Sequence, residues 1–273
     1  MVEYHIPSAR YLLFSHVILL GKFEWYMIQI AVFSDVHGNL PALEVVLQDI
    51  DQRGITQKFC LGDLVDFAPW GNEVIDKIRK NHIPCILGNH DERIAFDLPV
   101  IPLSKHSEEE TIARFEAIDH SRKSIRDENK SFLAELPFHI KLNYKTRGRH
   151  WNIQLVHSSL KSNDTYLYEY EADEVFHEML KGSDSDVILM GHTHISFKKK
   201  IGEKWAINTG SVGRSKEENR LASYVILTLN EKEVVPEIIQ LEYPLETVAK
   251  SIEASGIPNY YASFLRNEKS VNF

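Results

Sequence analysis

The chain has 273 residues, of which 43% are hydrophobic and 26% are charged, so it can bury the core of one large domain. It carries 31 Lys and Arg residues against 39 Asp and Glu residues, a net charge of −8, and we expect no nonspecific binding to nucleic acid. Cys60 and Cys85 both lie inside apolar segments, where buried free thiols are the common case. A disulfide scaffold is therefore not indicated, and a cytoplasmic location fits this pattern.

Residues 1–26 do not share the pattern of the chain that follows. Their apolar stretch, 11–20, is too short to span a bilayer and has neither the basic flank nor the cleavage site of a secretory signal. We therefore expect the main domain to cover residues 27–243, with residues 1–26 as an extension outside its core. We also expect no membrane-embedded segment.

From Met27 onward, predicted strands alternate with predicted helices. The apolar run 28–33 predicts a strand, and apolar residues at helical spacing over 40–50 predict a helix with Asn39 as its N-cap. A strand at 58–61, a helix around 74–78 and a third strand at 83–87 follow. This alternation predicts a parallel sheet with right-handed crossovers.

The segment 92–137 is rich in charged residues with scattered apolar positions. It predicts exposed helices joined by loops, and its charge is more typical of a solvated face than of a binding tail. Because the segment lies between two groups of candidate ligands, it could also cap a site.

Beyond Pro137 the apolar residues alternate with polar ones, which predicts three hairpins, at 138–155, 195–208 and 222–241. A helix at 172–181 and a strand ending before Gly191 lie between the first two. The sheets are thus expected to be mixed, parallel early and antiparallel late, in two layers. Residues 244–273 predict a helical tail, with two short helices around Gly256-Ile257-Pro258, packed on the domain.

Residue types that bind metals stand just after the apolar runs. They are Asp35, His37, Asp63, Asn89, His157, His192 and His194. Functional groups of α/β sheets gather at the carboxyl ends of the strands, so we expect these residues at one sheet edge. Carboxylates, an amide and imidazoles without a thiolate suit Mn, Fe, Zn, Ni or similar divalent ions. Seven ligands suit two ions that share a carboxylate, an arrangement that promotes phosphoryl displacement.

Five segments in this order resemble the signature of the calcineurin-like metallophosphoesterases, in particular their small bacterial and archaeal phosphodiesterase branch. The segments are Asp35-Val36-His37, Gly62-Asp63-Leu64-Val65-Asp66, Gly88-Asn89-His90-Asp91, Val156-His157 and Gly191-His192-Thr193-His194. The resemblance spans residues 27–243 and implies a four-layer α/β/β/α sandwich with mixed sheets. It also implies two groups of metal ligands, with Asp63 bridging them: Asp35, His37 and His194 in one, and Asn89, His157 and His192 in the other.

The resemblance further implies a catalytic role for His90, which would face the phosphate as proton donor or charge stabiliser. Asp66 and Asn39 would support the site or face the substrate; Asp66 is not needed as a ligand, since Asp63 already supplies the shared carboxylate. Branch members often carry Gly-Tyr-Gly-Pro where this chain has Phe67-Ala68-Pro69-Trp70. Trp70 could stack on a substrate ring, although packing on its own domain is the commoner case.

The resemblance implies a phosphohydrolase that cleaves a small phosphodiester, nucleotide or phosphomonoester by attack of a metal-bound hydroxide at a dinuclear centre. Two alternatives stay open: a serine/threonine phosphoprotein phosphatase, and a non-catalytic binding scaffold of the same fold. A scaffold is free to lose ligands, whereas this chain keeps all seven and His90. The sequence therefore favours an enzyme whose partner is a small phosphorylated substrate.

Overall fold

The computed structural model describes residues 2–3, 27–104 and 106–268. The strands are β1 (Val2–Glu3), β2 (Ile28–Phe33), β3 (Gln57–Cys60), β4 (His139–Thr146), β5 (Arg149–Val156), β6 (Val187–Met190), β7 (Phe197–Ile201), β8 (Lys204–Asn208), β9 (Ala222–Leu229) and β10 (Val234–Leu241). The helices are α1 (Leu40–Gln52), α2 (Gly71–Lys80), α3 (Asn89–Ala95), α4 (Glu108–Ser124), α5 (Asp127–Ala134), α6 (Asp173–Lys181), α7 (Leu245–Glu253) and α8 (Tyr260–Leu265). The predicted hairpins and the predicted C-terminal helices are thus confirmed.

The strands form two mixed sheets, which confirms the predicted fold class. Among the described residues, one sheet has six strands in the order β1-β4-β5-β6-β8-β7, and the other has four in the order β10-β9-β2-β3. Parallel pairs occur both early, between β2 and β3, and late, between β5, β6 and β8. The expected division into an early parallel and a late antiparallel part was therefore wrong. Parallel neighbours need a crossover connection, and the long 157–186 connection, which contains α6, supplies one late in the chain.

The third predicted strand, at 83–87, is not a regular strand. In the part of the chain that the structure describes, it makes only an isolated parallel bridge, between Cys60 and Cys85. Pro84 has no N–H to donate to a ladder, and its carbonyl accepts from Cys60 N at 2.9 Å. The segment still lies along the edge of β3, and it leads directly into α3.

Apolar residues of both sheets pack face to face in one cluster, which includes Ile30 and Val225 from the four-stranded sheet and Leu155 and Leu189 from the six-stranded one. A second cluster covers the other face of the smaller sheet with α1 and α2, and another covers the larger sheet with α6. Helices therefore lie outside two sheets that pack together, consistent with the layered sandwich that the family resemblance implied.

The C-terminal helices α7 and α8 pack against α4 in a separate apolar cluster. Ala117 of α4, Ile252 of α7 and Tyr261 of α8 are buried there, together with Phe67 from the loop after β3. This cluster places α4 and the C-terminal helices beside the loops that carry the candidate ligands.

At the amino end, β1 pairs in parallel with β4 at the edge of the larger sheet. The rest of the expected N-terminal extension, residue 1 and residues 4–26, lies outside the described residues. No helix in the described part of the chain combines the length and the apolar character that crossing a bilayer requires.

Candidate metal centre

The seven candidate ligands meet where loops from both sheets converge. Asp35 and His37 follow β2, and Asp63 follows β3, so these three come from the four-stranded sheet. His157 follows β5, and His192 and His194 follow β6, in the six-stranded sheet. Asn89 is the first residue of α3. The expectation of a single sheet edge was therefore wrong: the cluster lies between the strand ends of two packed sheets, and all seven side chains are buried.

Four of these residues form a compact first group. His37 Nε2 lies 3.1 Å from His194 Nε2, and His194 Nε2 lies 3.1 Å from Asp35 Oδ1. Asp63 Oδ2 lies 3.7 Å from His37 Nε2. One ligand atom from each of the four residues lies within 4.8 Å of the others, a spacing that fits one metal ion.

The remaining ligands form a second group beside the first. Asn89 Oδ1 lies 3.0 Å from His157 Nε2 and 3.1 Å from His192 Nδ1. His157 Nε2 lies 3.4 Å from Asp63 Oδ2, the same oxygen that faces His37 in the first group. Asp63 Oδ2 therefore lies between the two groups.

Backbone carbonyl groups orient three of the imidazoles. The Nδ1 atoms of His37, His157 and His194 lie 2.9, 2.8 and 2.8 Å from the carbonyl oxygens of Val65, Leu61 and Arg214. A carbonyl only accepts, so each Nδ1 carries a proton, and in the neutral form of each ring Nε2 presents a lone pair to the cluster. His192 is turned the other way, with Nδ1 towards Asn89.

The inward-facing atoms are acceptors without donors. Asp35 Oδ1 and Asp63 Oδ2 are buried and have no hydrogen-bond partner among the described residues. The second oxygen of each carboxylate accepts a backbone N–H: Asp35 Oδ2 from His192 at 3.0 Å, and Asp63 Oδ1 from His90 at 2.8 Å. An unpaired buried acceptor costs about 1–3 kcal/mol, and here several lone pairs face one another. A cation satisfies all of them at once, so the residues present fit bound metal.

The protonation preferences of three of the four imidazoles agree with metal binding. Burial and the neighbouring His194 lower the pKa of His37 to about 3, and burial and His157 lower the pKa of His192 to about 3. Burial, reinforced by Lys216 and Arg214, also holds the pKa of His194 well below its usual value. For His157, burial lowers the pKa, but Asp63 outweighs it and raises the pKa to about 10. Three of the four imidazoles are therefore neutral at pH 7, the form that binds metals.

The backbone of the cluster is strained. Asp35, His37, Asp63, His192 and His194 have φ angles between 49° and 66°, in the left-handed region that residues other than glycine rarely adopt. Each such conformation costs of order 1–3 kcal/mol and persists only where the surroundings enforce it. Such strain clusters at functional sites, and here it coincides with the candidate ligands.

His90 lies beside the cluster, held by Asp66. His90 Nδ1 lies 2.5 Å from Asp66 Oδ2, and His90 also lines the adjoining cavity. Burial raises the pKa of Asp66 to about 7 and lowers the pKa of His90 well below its usual value. Asp66 thus contacts His90 and no member of the ligand cluster at hydrogen-bond distance among the described residues.

Two other predicted positions have structural contacts. Asn39 caps α1 through Oδ1, which accepts from Ala42 N at 3.2 Å, and its Nδ2 donates to Gly213 O at 3.0 Å. It therefore joins the loop after β2 to the 210–213 loop, as a support rather than a substrate contact. Trp70 packs against the cluster of α4, α7 and α8 and is not among the residues that line the cavity.

A cavity of about 430 Å³ opens on the cluster. Asp63, Asn89, His192 and His194 form part of its wall. The rest includes aromatic side chains, acidic side chains, segment 98–103 and four cationic side chains, Arg93, Arg114, Arg214 and Lys216. Sequence reasoning missed these cations. Arg114 lies in a helix whose charge pattern resembles a solvated face, and only the tertiary structure turns it inward.

Comparison with known proteins agrees with this geometry. Residues 28–232 match the family model of the calcineurin-like phosphoesterase superfamily domain. An uncharacterized protein of Methanocaldococcus jannaschii is 32% identical over 248 residues, which cover 85% of this chain and 94% of that protein.

Two solved structures have the same fold. A metallophosphoesterase from Sphaerobacter thermophilus has a TM-score of 0.68 at 22% identity, covering 89% of this chain and 99% of its own. A hypothetical protein from Pyrococcus horikoshii has a TM-score of 0.73 at 18% identity, covering 87% of this chain and 97% of its own. With the family match over most of its length, this protein belongs to the calcineurin-like phosphoesterase superfamily.

Proposed function

We propose that the protein is a phosphohydrolase that cleaves a phosphoester bond of a small substrate at a centre of two divalent ions. One observation carries the proposal: the unpaired oxygen Asp63 Oδ2 lies 3.7 Å from His37 Nε2 and 3.4 Å from His157 Nε2. Such a position suits a carboxylate shared by two ions. Asp35, His37 and His194 would complete one ion's ligands, and Asn89, His157 and His192 the other's.

When bound, a pair of such ions activates a water molecule and neutralises phosphate charge. The chain's own residues fix the geometry of the site and manage the proton. Carbonyl groups and strained loops hold the ligands in place before substrate arrives, which lowers the reorganisation needed during the reaction. His90, positioned by Asp66 at the cavity wall, would give a proton to the leaving oxygen or stabilise phosphate charge.

Nitrogen and oxygen ligands without a thiolate suit Mn, Fe, Zn or Ni as the resident ions. The cavity volume of about 430 Å³ is in the range of small-molecule sites, which supports a small phosphoester over a phosphoprotein. The intact ligand set and the His90–Asp66 contact support an enzyme over a binding scaffold, which needs neither.

The test is a screen of the metal-stripped protein after reconstitution with each ion separately. Phosphodiesters, dinucleoside polyphosphates, phosphomonoesters and a phosphopeptide are offered at equal concentration. We expect turnover of a small ester, and at least about 10³-fold less with Asp63→Asn, because one change removes a ligand from both groups. Asp76→Asn, which alters an exposed carboxylate on α2, is the matched control and should keep the parent rate.

Two results would overturn the proposal. Undiminished turnover in Asp63→Asn would place the activity elsewhere or in a contaminant. A fully metal-loaded parent that hydrolyses none of these esters would support the binding scaffold.

A further inference from the structure

Three arginines in the cavity wall are buried. Arg93, Arg114 and Arg214 are 7–8% exposed. The charge of Arg214 is compensated, because its guanidinium lies 3.9 Å from Glu110 Oε1 and 4.5 Å from the ring centroid of Phe67.

The other two arginines have no comparable partner. In the described part of the chain, neither Arg93 nor Arg114 has a carboxylate oxygen within 4.0 Å. Arg93 Nη1 is buried without a hydrogen-bond partner among the described residues, and Arg114 Nη1 donates to Ile101 O at 2.8 Å. A buried guanidinium without an opposite charge is costly, so the pair calls for an anion.

The two charges act on each other and on the catalytic region. Burial and then the charge of Arg93 lower the pKa of Arg114, and both arginines help to lower the pKa of His90. Asp66 is the carboxylate that interacts with both, but it is already held by His90 at 2.5 Å. One carboxylate carries at most one negative charge, so it does not neutralise two guanidinium groups.

Apart from the candidate ligand Asp63, the acidic residues of the cavity wall are paired or lie in wetter positions. Glu110 is paired with Arg214, Glu92 is half-buried and Asp164 is exposed. Water screens the last two, whereas Arg93 and Arg114 are buried. The deep part of the cavity next to His90 is therefore the part that attracts an anion.

We propose that Arg93 and Arg114 form a second anion subsite, which binds a second phosphate group of the substrate while the scissile phosphate lies at the metal centre. This inference rests on the proposed function and narrows its substrate class to small bisphosphorylated compounds. A phosphate dianion matches two guanidinium charges, and the planar fork of arginine binds its oxygens in pairs. The two arginines and the candidate metal ligands line the same cavity of about 430 Å³, so the spacer between the two phosphates must be short.

The first experiment uses metal-free protein and needs no catalysis. The melting temperature of the EDTA-treated parent is measured in phosphate and in chloride at equal ionic strength. Phosphate should raise it, because an anion that binds only the folded state stabilises that state. Arg114→Gln and Arg93→Lys should lose most of the shift. Arg126→Gln, which changes an exposed arginine paired with Asp76, should keep it.

An equal phosphate shift in the parent and in both cavity variants would overturn the subsite. Arg114→Gln removes a charge, whereas Arg93→Lys keeps one but loses the fork. Should one variant fail to fold, the other still decides the outcome.

The second experiment uses metal-loaded protein and matched substrates: the monophosphates and bisphosphates of propane, butane and pentane diols, and the corresponding carboxyalkyl phosphates. For at least one spacer, the parent should have a KM about 10-fold or more lower for the bisphosphate than for the monophosphate, as expected for charge-assisted hydrogen bonds. In Arg114→Gln this ratio should fall towards one, while Arg126→Gln keeps it.

A parent without any preference for a bisphosphate, or a preference that survives Arg114→Gln, would overturn the proposal. Equal KM values for carboxyalkyl phosphates and bisphosphates would overturn the assignment to phosphate. The hydrolase proposal can fail separately. If the parent hydrolyses none of these esters but its phosphate-dependent melting shift requires Arg114, the anion subsite is supported and the hydrolase is not.

Discussion

The bridging position of Asp63 makes a sharp prediction about metal content. Asp63 Oδ2 faces His37 in one ligand group and His157 in the other, at 3.7 and 3.4 Å. Asp63→Asn should therefore weaken metal binding at both positions. Asn89→Ala should weaken mainly one, because Asn89 contacts only His157 and His192 in the cluster.

The magnitude follows from what each change removes. Losing a partner that only orients a metal ligand already lowers metal affinity about 10–100-fold. Asp63 would be a direct, charged ligand. We therefore expect Asp63→Asn to lower metal affinity at least about 100-fold, or about 2.7 kcal/mol, at each of the two positions. Asn89 is neutral, and its loss should cost about 10–100-fold at one position.

The assay is elemental analysis after dialysis against a defined free-metal concentration, followed by calorimetric titration of the metal-free protein. The parent should bind two equivalents of metal, and Asn89→Ala about one. Asp63→Asn should bind neither equivalent with the parent's affinity. Asp76→Asn serves as the carboxylate control. Two equivalents bound by Asp63→Asn with the parent's affinity would refute the bridging role.

Four further outcomes are expected. Removing metal should lower the melting temperature, since unpaired buried acceptors then lose their cation; a melting temperature indifferent to chelation would contradict the fit of the cluster to metal. His90→Asn should keep its metal and lose about 10²–10⁴-fold in turnover of alkyl esters but much less with nitrophenyl esters, whose leaving group needs no proton; equal losses would assign His90 to charge stabilisation. Gly191→Ala should lower metal affinity, because its Cβ would collide with Ser34 Oγ and Asp35 Oδ2; unchanged affinity would show that these loops yield easily. A chain that starts at Met27 should keep its activity and a melting temperature within a few degrees, because β1 adds only two residues to a sheet edge; loss of soluble protein would move the domain start.

Local features of the fold were predictable from short stretches of the sequence. The Asn39 cap of α1, the hairpin between β4 and β5 and the bounds of α6 depend on neighbouring residues, so a short window contains their cause. The identity of the candidate ligands was readable for the same reason: each follows an apolar run within a few residues. The prediction of a strand at 83–87 was wrong, because a run of apolar residues does not reveal how few β-ladder hydrogen bonds the segment makes around Pro84.

How these pieces combine depends on contacts between residues that lie far apart in the chain. His37 and His194 lie 157 positions apart in the chain, yet their Nε2 atoms are 3.1 Å apart, because two sheets pack face to face and bring their loops together. The inward orientation of the imidazoles depends on carbonyl groups of distant loops, such as Leu61 for His157. Arg93 and Arg114 are buried, although they lie in the charged segment 92–137, which looks solvated in the sequence. Burial and charge compensation are properties of the packed chain, and no local pattern encodes which charged side chain will face a cavity.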